Sequence, residues 1–469
     1  MSWSLVLPER LYAKLQAHLF SGDGDEHGAV LAAGVARGAK NRLLVRHVFL
    51  AEDGIDYVPG QRGYRMLTAA FVRERIRFCR DEHLAYLAVH CHGGTTRVGF
   101  SSDDLASHER GYPALGQISR SQIIGGLVFA TEAIAGDLWM PDGSRVALDR
   151  AVVVGSRRQE LWPAPPARPP RRDAAYDRQA RLFGDRGQAV LGRLKVGVIG
   201  AGGAGSLINE YLARLGVGQI VLIDPERFDL TNHPRVVGSR RSDAARERPL
   251  PRQARLKVAI GQRVARDANP DGHFRGVGRN VVDDDIARDL TDCDFLFLAA
   301  DSAQARLLFN ALVHQYLIPG VQVGAKVPVD PETGDVGDVF GVVRFVEPGY
   351  GCLFCNGLIS GKALQLESLS ERERRAQRYV DEPDVPSPSV ISLNAVPAAH
   401  AVDDFLFNVL GLRQPGPHLW LRFRPLRAEI RRVEPSQNPA CSECSDRPDS
   451  RLARGDAMDL PTRLGNWPQ

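Results

Sequence analysis

Two histidines, His90 and His92, follow an apolar run and have the spacing of metal ligands. On an extended segment, residues at i and i+2 project to the same side, so both imidazoles can reach one ion. A carboxylate follows shortly afterwards, with a serine three residues before it. Three protein ligands with a fourth position left for water are typical of catalytic zinc, which activates water and polarises a carbonyl. Glu26, at the start of a strand-like stretch, is the candidate general base.

Three glycines with GxGxxG spacing, Gly200, Gly202 and Gly205, separate an apolar run from a predicted helix. Such glycines allow a tight turn and a close approach of the backbone to phosphates at the helix N-terminus. The next apolar run ends at Asp224, which is placed to bind ribose hydroxyls. Alone, this pattern predicts a nucleotide, with NAD as the default.

The residues that follow Asp224 favour ATP instead. A dinucleotide dehydrogenase has no need for Arg235, Lys257 and Asp301, whereas adenylation of a carboxylate needs cations for phosphates and an acid for magnesium. We therefore expect Arg235 and Lys257 to contact phosphates. Asp301 ends an apolar run, and open α/β sheets bind ligands at the carboxyl ends of their strands. It is therefore the predicted Mg²⁺ ligand.

Four of the seven cysteines form two CxxC pairs. In a long chain such pairs indicate a metal site rather than a disulfide framework. Their spacing predicts a tetrahedral structural zinc with four thiolates, and a redox-active pair is the alternative. The four residues are Cys352, Cys355, Cys441 and Cys444.

The elements that must position these groups fall into two predicted domains. Residues 1–160 read as an α+β domain, a Pro/Arg-rich linker follows at 161–173, an α/β doubly wound domain spans 174–450, and a loosely held tail covers 451–469. In the first domain strands are expected at 29–31, 42–50, 84–89, 123–129 and 144–154, and a helix at 63–81.

Composition excludes several classes of protein. With a net charge of +4 over 469 residues there is no general case for nucleic-acid binding. No apolar run reaches membrane-spanning length, and the start has no signal-peptide pattern. We therefore expect a cytoplasmic protein that contacts no membrane.

The first domain resembles the JAB/JAMM (MPN) family of zinc isopeptidases over about residues 5–155, in its early glutamate, its HxH pair and its SxxD unit. The resemblance implies Glu26 as base, Ser101 as oxyanion stabiliser, and His90, His92 and Asp104 as ligands of a catalytic zinc.

The spacing departs from that family in one respect. The family spacer has seven residues, whereas eight separate His92 from Ser101 here. Strict counting would select Phe100 and Asp103, but Ser101 and Asp104 keep the SxxD unit intact. We therefore prefer the latter pair.

Residues 174–445 resemble the ThiF/MoeB and ubiquitin-activating family, which couples ATP to the C-terminal glycine of a ubiquitin-like protein. The similar segments are YDRQARLFG, GAGGAGS, DPERFDLTNHPR and ADSAQARLLFN. The resemblance implies a Rossmann-like adenylation domain with a structural zinc, ATP and Mg²⁺. It also implies a homodimer, because the counterpart of Arg178 reaches the ATP of a partner subunit. The implied nucleotide-binding residues are Gly202, Asp224, Asn232, Arg235, Lys257 and Asp301.

The departures from that family are Glu226, in place of an aspartate, and a basic insertion at 239–255. Some family members also carry a nucleophilic cysteine after the first CxxC pair, but residues 356–440 contain none. We therefore expect the reaction to stop at the acyl-adenylate, or to pass it to a thiol on a partner such as a conjugating enzyme. An ester on Ser370, Ser387 or Ser389 is possible in principle, although no spacing favours it.

Together the two resemblances predict an enzyme that cleaves after the terminal glycine of a ubiquitin-like protein and adenylates that glycine. Fused proteins of bacterial ubiquitin-like operons, including antiviral ones, are similar. One alternative is activation of a sulfur carrier for cofactor biosynthesis. The other is an inactive adenylation fold that serves as a scaffold for the isopeptidase.

Overall fold

The computed structural model describes residues 2–60, 65–120, 122–167, 174–246, 251–330, 332–368, 388–414, 416 and 418–463. The chain divides into two compact units. The first comprises Met1–Arg168, His314–Leu317 and Cys444–Asp459, and the second comprises Pro169–Val313, Ile318–Glu443 and Leu460–Gln469. None of the helices in the described ranges is both long enough and apolar enough to cross a membrane.

The first unit is built on one mixed sheet. Its strands are β1 (Trp3–Pro8), β2 (Gly28–Ala36), β3 (Asn41–Leu50), β4 (Ala85–Cys91), β5 (Ile124–Ala130), β6 (Ala133–Trp139), β7 (Arg145–Val154) and β8 (Gln159–Leu161). Its helices are α1 (Glu9–Leu19), α2 (Ala69–Asp81) and α3 (Ser102–Ile118). The strand order is β1-β3-β2-β4-β5-β6-β7-β8, and β1 also pairs with β7, which closes the sheet.

Two of these elements differ from the sequence-based expectation. The helix expected from residue 63 begins at Ala69, because the Thr68 side chain accepts a hydrogen bond from Phe71 N and caps the helix. Residues 61–64 lie outside the described ranges. Strand β4 extends to Cys91, so that His90 lies within the strand between β2 and β5, opposite Gly28 and Val128.

The second unit contains an eight-stranded sheet in the order β11-β10-β9-β12-β13-β14-β15-β16. The strands are β9 (Lys195–Ile199), β10 (Gln219–Ile223), β11 (His273–Val277), β12 (Phe295–Leu298), β13 (Gly320–Lys326), β14 (Phe340–Val346), β15 (Trp420–Arg424) and β16 (Glu429–Val433). The helices are α4 (Asp177–Leu191), α5 (Gly203–Arg214), α6 (Lys257–Ala268), α7 (Asp284–Leu290), α8 (Ala303–Gln315), α9 (Gly361–Ser368) and α10 (Ile391–Val409). Single 3₁₀ turns occur at Ala174–Tyr176, Leu230–Asn232, Arg241–Asp243 and Pro425–Arg427.

Strands β9 to β13 are mutually parallel, and β14 to β16 extend the sheet in antiparallel fashion. Strands β9, β10 and β12 are mostly buried, as their apolar runs predict, because helices cover such sheets on both faces, whereas the edge strand β11 is partly exposed. The strand order reverses between β9 and β12, and ligands of open α/β sheets bind at such a switch point. This is the Rossmann-like arrangement expected for the second domain.

The end of the chain departs from the expected loosely held tail. Residues 444–459 belong to the first unit. The guanidinium of Arg46, which is 1% exposed, donates to the carbonyl oxygens of Arg447 and Leu452 and, over 3.1 Å, to Ser450 Oγ. A buried cation must find such acceptors, and this segment supplies them.

Candidate functional sites

The side chains of His90, His92 and Asp104 converge in the first unit. Their ligand atoms lie within 4.8 Å of one another. The two Nε2 atoms are 3.2 Å apart, and the Asp104 oxygens lie 3.5 Å from His90 Nε2 and 3.4 Å from His92 Nε2. Two imidazoles and one carboxylate are a donor set that suits Zn²⁺ with one position left open.

The start of α3 positions the carboxylate of this trio. Ser101 and Asp104 form a capping box, in which Asp104 N donates to Ser101 Oγ and Ser101 N donates to Asp104 Oδ2. Although burial alone would raise it, hydrogen bonds from His90 and Ser101 hold the pKa of Asp104 well below its usual value. Asp103, the alternative from strict counting, is exposed. The structure therefore brings Asp104, and not Asp103, to the two histidines.

The remaining predicted residues of this site are arranged differently. Ser101 Oγ donates to Asp104 Oδ2 over 2.7 Å, so the hydroxyl is engaged with a ligand residue. Glu26 is half-buried just before β2, two residues ahead of Gly28, which pairs with His90. Among the described residues no hydrogen bond or ion pair joins Glu26 to either histidine. Glu26 therefore lies just ahead of the neighbouring strand, and no described contact fixes its carboxylate relative to the histidines.

Two further histidines of this unit lie in polar clusters. His108 is 6% exposed, and its Nδ1 lies 2.8 Å from Asp137 Oδ2. It lies one helical turn after Asp104 and fastens α3 to β6. His27 groups with Asp23 and Asp53 as a second possible metal-binding set, of which both carboxylates are exposed. Neither histidine has a motif spacing that would have revealed it.

A cavity of about 730 Å³ in the second unit opens at the carboxyl ends of β9, β10 and β12. This volume is within the range of small-molecule sites. Its described lining includes most of the residues predicted to bind the nucleotide, which are Gly200, Gly202, Asp224, Lys257 and Asp301.

Hydrogen bonds to the backbone fix the carboxylate of Asp224. Its Oδ2 accepts from Ala201 N over 2.7 Å, and its Oδ1 accepts from Glu226 N over 2.8 Å. Burial raises the pKa of Asp224 above its usual value, while these bonds and the Lys257 charge oppose the rise. The buried Lys257 pairs with the exposed carboxylate of Glu226. A cation and an oriented acid therefore face the same cavity.

The three glycines of the loop have separate structural roles. Gly200 has φ of +99°, a conformation that residues with a side chain rarely adopt. A Cβ on Gly205 would lie 1.8 Å from Gly200 O, so this glycine permits close packing of helix on strand. A Cβ on Gly202 would meet nothing within 4 Å. Only Gly200 and Gly202 line the cavity.

Three predicted nucleotide residues lie away from the described lining of the cavity. Asn232 is buried and accepts from Asp229 N over 3.2 Å as part of the cap of a 3₁₀ turn. Arg235 Nη1 donates to Thr231 O over 3.2 Å. Arg178 is exposed on α4. The nucleotide roles of these three residues therefore remain predictions, and in the described structure none of the three lines the cavity.

Cys352, Cys355, Cys441 and Cys444 converge, with their sulfurs within 4.8 Å of one another. The sulfurs of Cys352 and Cys441 are 3.7 Å apart. Backbone amides donate to three of the sulfurs, Cys355 N to Cys352, Asn438 N to Cys355 and Glu443 N to Cys441. Four convergent sulfurs suit a tetrahedral zinc ion.

Asn310, the last residue of the family-like segment ADSAQARLLFN, joins the two CxxC segments. The fully buried amide accepts from Leu353 N over 2.9 Å and donates to Glu443 Oε2 over 3.1 Å. The side chain therefore holds the two segments in register, and it does not line the cavity in its described part.

Comparison with known proteins finds a family profile that matches most of the second unit. The profile of the ThiF family matches residues 176–442, and the first 175 residues lie outside that match. The chain is 31% identical over 183 residues to the sulfur carrier protein ThiS adenylyltransferase of Bacillus subtilis, covering 38% of this chain and 49% of that protein.

Two other similar proteins point the same way. The sulfur carrier protein adenylyltransferase of Thermus thermophilus is 27% identical over 287 residues, or 59% of this chain and 92% of that protein. Ubiquitin-like modifier-activating enzyme 5 of Xenopus laevis is 25% identical over 178 residues, or 34% of this chain and 39% of that protein. The chain thus spans about half the length of the Bacillus protein and most of the Thermus protein.

Proposed function

This chain belongs to the ThiF family, and from that membership and the cavity we propose that its second unit adenylates the C-terminal glycine of a ubiquitin-like or sulfur-carrier protein. The observation that carries the proposal is one cavity that combines a glycine loop, an oriented acid, a buried lysine and a strand-end aspartate. Of the three proteins reported above as similar to this chain, two are named as adenylyltransferases of sulfur carriers and one as an enzyme that activates a ubiquitin-like modifier.

In this proposal each cavity residue has one task in the attack of a glycine carboxylate on the α-phosphate of ATP. The Gly200–Gly202 turn, at the N-terminus of α5, receives the phosphates. Asp224 accepts from the ribose hydroxyls. Lys257 stabilises the negative charge that builds on the phosphates as pyrophosphate leaves. Asp301 would hold Mg²⁺ together with phosphate oxygens.

Lys257 must exchange partners for this reaction. In the chain its ammonium pairs with Glu226, whose side chain is 66% exposed. Because the Glu226 carboxylate is exposed, it can turn into solvent, and a phosphate oxygen can take its place beside the buried ammonium. Glu226 then becomes free to accept from the ribose, which gives this departure from the family motif a function.

We further propose that the first unit is a JAB/JAMM-type zinc isopeptidase that processes or deconjugates the same protein. His90, His92 and Asp104 would hold the ion, which when bound would polarise the scissile carbonyl and lower the pKa of a water molecule. Glu26 would accept the proton of that water and deliver it to the leaving amine. Ser101 would orient Asp104 and stabilise the oxyanion.

The cysteine cluster takes a structural role in this proposal. Four thiolates leave no open position on a zinc ion, so Cys352, Cys355, Cys441 and Cys444 would stabilise the fold. The acyl-adenylate would then pass to a thiol on a partner such as a conjugating enzyme, since residues 356–440 have no cysteine. Ser389 does line the cavity, but its Oγ accepts from Asn394 Nδ2 over 3.0 Å. Ser370 and Ser387 lie outside the described residues.

The assembly that we propose is a homodimer in which Arg178 reaches the ATP of the partner subunit. The support is its exposure on α4 and its absence from the described lining of its own chain's cavity. A nucleotide site with one arginine from each partner would explain why Arg178 forms no contact with the cavity here. Mixing Arg178→Ala with Lys257→Ala chains should restore part of the activity that each variant lacks.

ATP–pyrophosphate exchange tests the adenylation directly. Purified chain is incubated with glycine-ended ubiquitin-like and sulfur-carrier proteins, and wild type is compared with Asp301→Ala and Lys257→Ala. Exchange should require the partner's terminal glycine and should fall by about a hundredfold or more in both variants. Asp289→Asn, an exposed α7 residue, is the matched control.

Two outcomes would redirect this proposal. Exchange with a sulfur carrier but with no ubiquitin-like protein would select cofactor biosynthesis. Absence of exchange with every glycine-ended carrier would select the inactive scaffold. Cleavage of an extended precursor, compared between wild type and Glu26→Gln, tests the isopeptidase separately.

A further inference from the structure

The cavity of the second unit extends well beyond the residues assigned to the nucleotide. Its lining continues along β13 and β14, through Gln322, Lys326, Phe340 and Arg344, and includes Arg306 of α8. The three carboxylates in the described lining, Asp224, Glu226 and Asp301, all follow β10 or β12. The half along β13 and β14 therefore presents cations without any acid.

Arg344 is the most unusual of these cations, because it interrupts the apolar strand FGVVRFV. It lies directly across from Gln322 of β13, and its Nη1 donates to Gln322 Oε1 over 2.5 Å. Gln322 is itself 3% exposed. The glutamine orients the guanidinium but supplies no charge to balance it.

The surroundings of Arg344 disfavour its positive charge. Burial, and then the charges of Arg306 and Arg422, lower the pKa of Arg344 to about 10. Arg422 has a partner in Asp338 at 3.2 Å, but neither Arg306 nor Arg344 has a carboxylate partner among the described residues. The Trp420 ring, 5.6 Å from the guanidinium carbon of Arg344, and the Gln322 hydrogen bond offset part of the cost of this half-buried cation, and a bound anion would offset more of it.

The strand pairing of the sheet fixes how far Arg344 lies from the nucleotide loop. Ile199, the residue before Gly200, is paired with Leu298 of β12. Leu298 is paired in turn with Gln322 of β13, and Gln322 with Arg344 of β14. Three strand spacings of about 4.8 Å place Arg344 about 14 Å from the end of β9. An extended chain rises about 3.4 Å per residue, so this distance corresponds to about four residues.

We propose that Arg344 and Arg306, with Gln322 orienting the former, bind the carboxylate side chain of an acidic residue about four positions before the terminal glycine of the incoming carrier protein. The proposal rests on the proposed adenylation, because only that reaction brings a C-terminal tail into the cavity. A planar guanidinium recognises a carboxylate through two parallel hydrogen bonds, which makes the pair a determinant of carrier specificity.

A phosphate group of the nucleotide is the other source of an anion in this cavity. The phosphates already have the glycine turn and Lys257, three strands away from Arg344. A tail that crosses the sheet from β14 over β13 and β12 toward the loop would instead pass Arg344 on its way to the α-phosphate. The position of the pair therefore favours the carboxylate of the tail, and the test separates the two sources.

Binding of synthetic tail peptides to the full chain tests the proposal without requiring turnover. Fluorescein-labelled peptides end in Gly-Gly and carry one glutamate moved stepwise from the third to the seventh position from the C-terminus, or glutamine at the same place. Anisotropy should give the lowest Kd for glutamate near the fourth or fifth position, with glutamine there binding about tenfold more weakly. Arg344→Gln and Arg306→Gln should abolish that difference.

A nearby arginine provides the matched control. Arg422→Gln removes a charge next to Arg344 but outside the cavity lining, and it should keep the preference for glutamate. Arg306 lies on a helix surface, so its variant remains informative if Arg344→Gln fails to fold. The affinity for a fluorescent ATP analogue should change less than twofold in both cavity variants.

Three results would overturn the proposal. The first is a peptide affinity that does not depend on the position of the glutamate, and the second is peptide binding too weak to detect. The third is a loss of ATP affinity in the variants, which would assign Arg344 and Arg306 to phosphate. Failure of the adenylation itself is separate, because it is measured as absent ATP–pyrophosphate exchange by wild type with its carrier protein.

Discussion

The histidine–aspartate trio of the first unit and the cavity of the second are built by different means. Three side chains form the trio, and all of them come from residues 90–104. The described lining of the cavity extends from Ile199 to Asn394, and close approaches of backbone at Gly200 and Gly205 shape its glycine turn. The trio therefore depends on the chemistry of a few polar groups, whereas the glycine turn of the cavity also depends on how closely backbone segments approach.

This difference determines how each site should respond to substitution. If the trio holds a metal ion as proposed, a change that keeps the shape of a side chain but removes its charge would eliminate a ligand. In the cavity, adding a single methyl group can have a larger effect than removing a charge, because Gly200 and Gly205 already have backbone atoms near their Cβ positions. The two sites should therefore show opposite sensitivities to polar and to steric substitution.

The largest effect is expected from Asp104→Asn. The amide keeps the size of the carboxylate but is a poor zinc ligand, so the chain should bind one zinc ion fewer, measured by mass spectrometry of metals. Cleavage of a carrier precursor should fall by at least about a thousandfold. Asp103→Asn, one residue away and exposed, should retain both properties. If Asp103→Asn lost the metal instead, the strict spacing of the family would be correct.

The next effect separates two glycines of the same loop. Gly205→Ala would place a methyl group 1.8 Å from Gly200 O, and we expect a loss of about 3 kcal/mol or more in unfolding free energy. Gly202→Ala meets no atom within 4 Å, so its cost should be below about 1 kcal/mol. Its methyl group would instead obstruct phosphates, which should weaken ATP binding about tenfold in calorimetry. Equal stability of the two variants would contradict the backbone account of the cavity.

The sequence was most informative where local rules decide the structure. Alternation along a strand places His90 and His92 together, and the capping preference of a helix start places Ser101 and Asp104 three residues apart. The glycine spacing and the apolar runs likewise predicted β9, α5 and β10 and the cavity at their ends. Each of these inferences needs only a few neighbouring residues.

Contacts between distant segments were not predictable in this way. Arg46 binds Leu452, which is 406 positions away, and no local pattern indicates that pairing. Asn232 was assigned to the nucleotide by resemblance, but its amide caps a turn, because a short polar side chain satisfies the nearest free amide first. For Arg344 a signal existed, namely one charge within an apolar strand, but its partner Gln322 becomes visible only through strand pairing.

The cysteine cluster lies between the two kinds of site, because side chains form it but distant segments supply them. Asn310→Ala would remove the acceptor of Leu353 N and the amide that donates to Glu443 Oε2 in a buried region. We expect a loss of about 2 kcal/mol and faster release of zinc to a chelator. Asn310→Asp keeps the acceptor for Leu353 N but not the donor to Glu443 Oε2. It should also lose stability and release zinc faster, with the two effects in a different ratio from that in Asn310→Ala. Zinc release at the wild-type rate in Asn310→Ala would show that the cluster holds together without this residue.

The smallest expected difference is the response of the first unit to acid. His47 of β3 packs against Phe49 and Phe78, and burial, followed by the charge of Arg46, lowers the pKa of His47 to about 4. The unfolded chain, with an ordinary histidine pKa near 6.5, then binds more protons than the folded chain between these two values. Stability should therefore fall as the pH drops from about 6.5 toward 4, by on the order of 1 kcal/mol after allowance for partial exposure.

His47→Phe should remove that dependence, because it keeps the aromatic contacts and has no proton to gain. The measurement is the unfolding free energy from urea titrations at pH 7 and pH 5, in wild type and variant. The wild type should lose more stability than the variant over this interval. Equal losses of stability in wild type and variant would place the acid sensitivity elsewhere in the chain. The next group to test would then be the trio of the first unit, whose Asp104 must stay ionised to bind a metal. The same comparison of wild type and variant at the two pH values would test it.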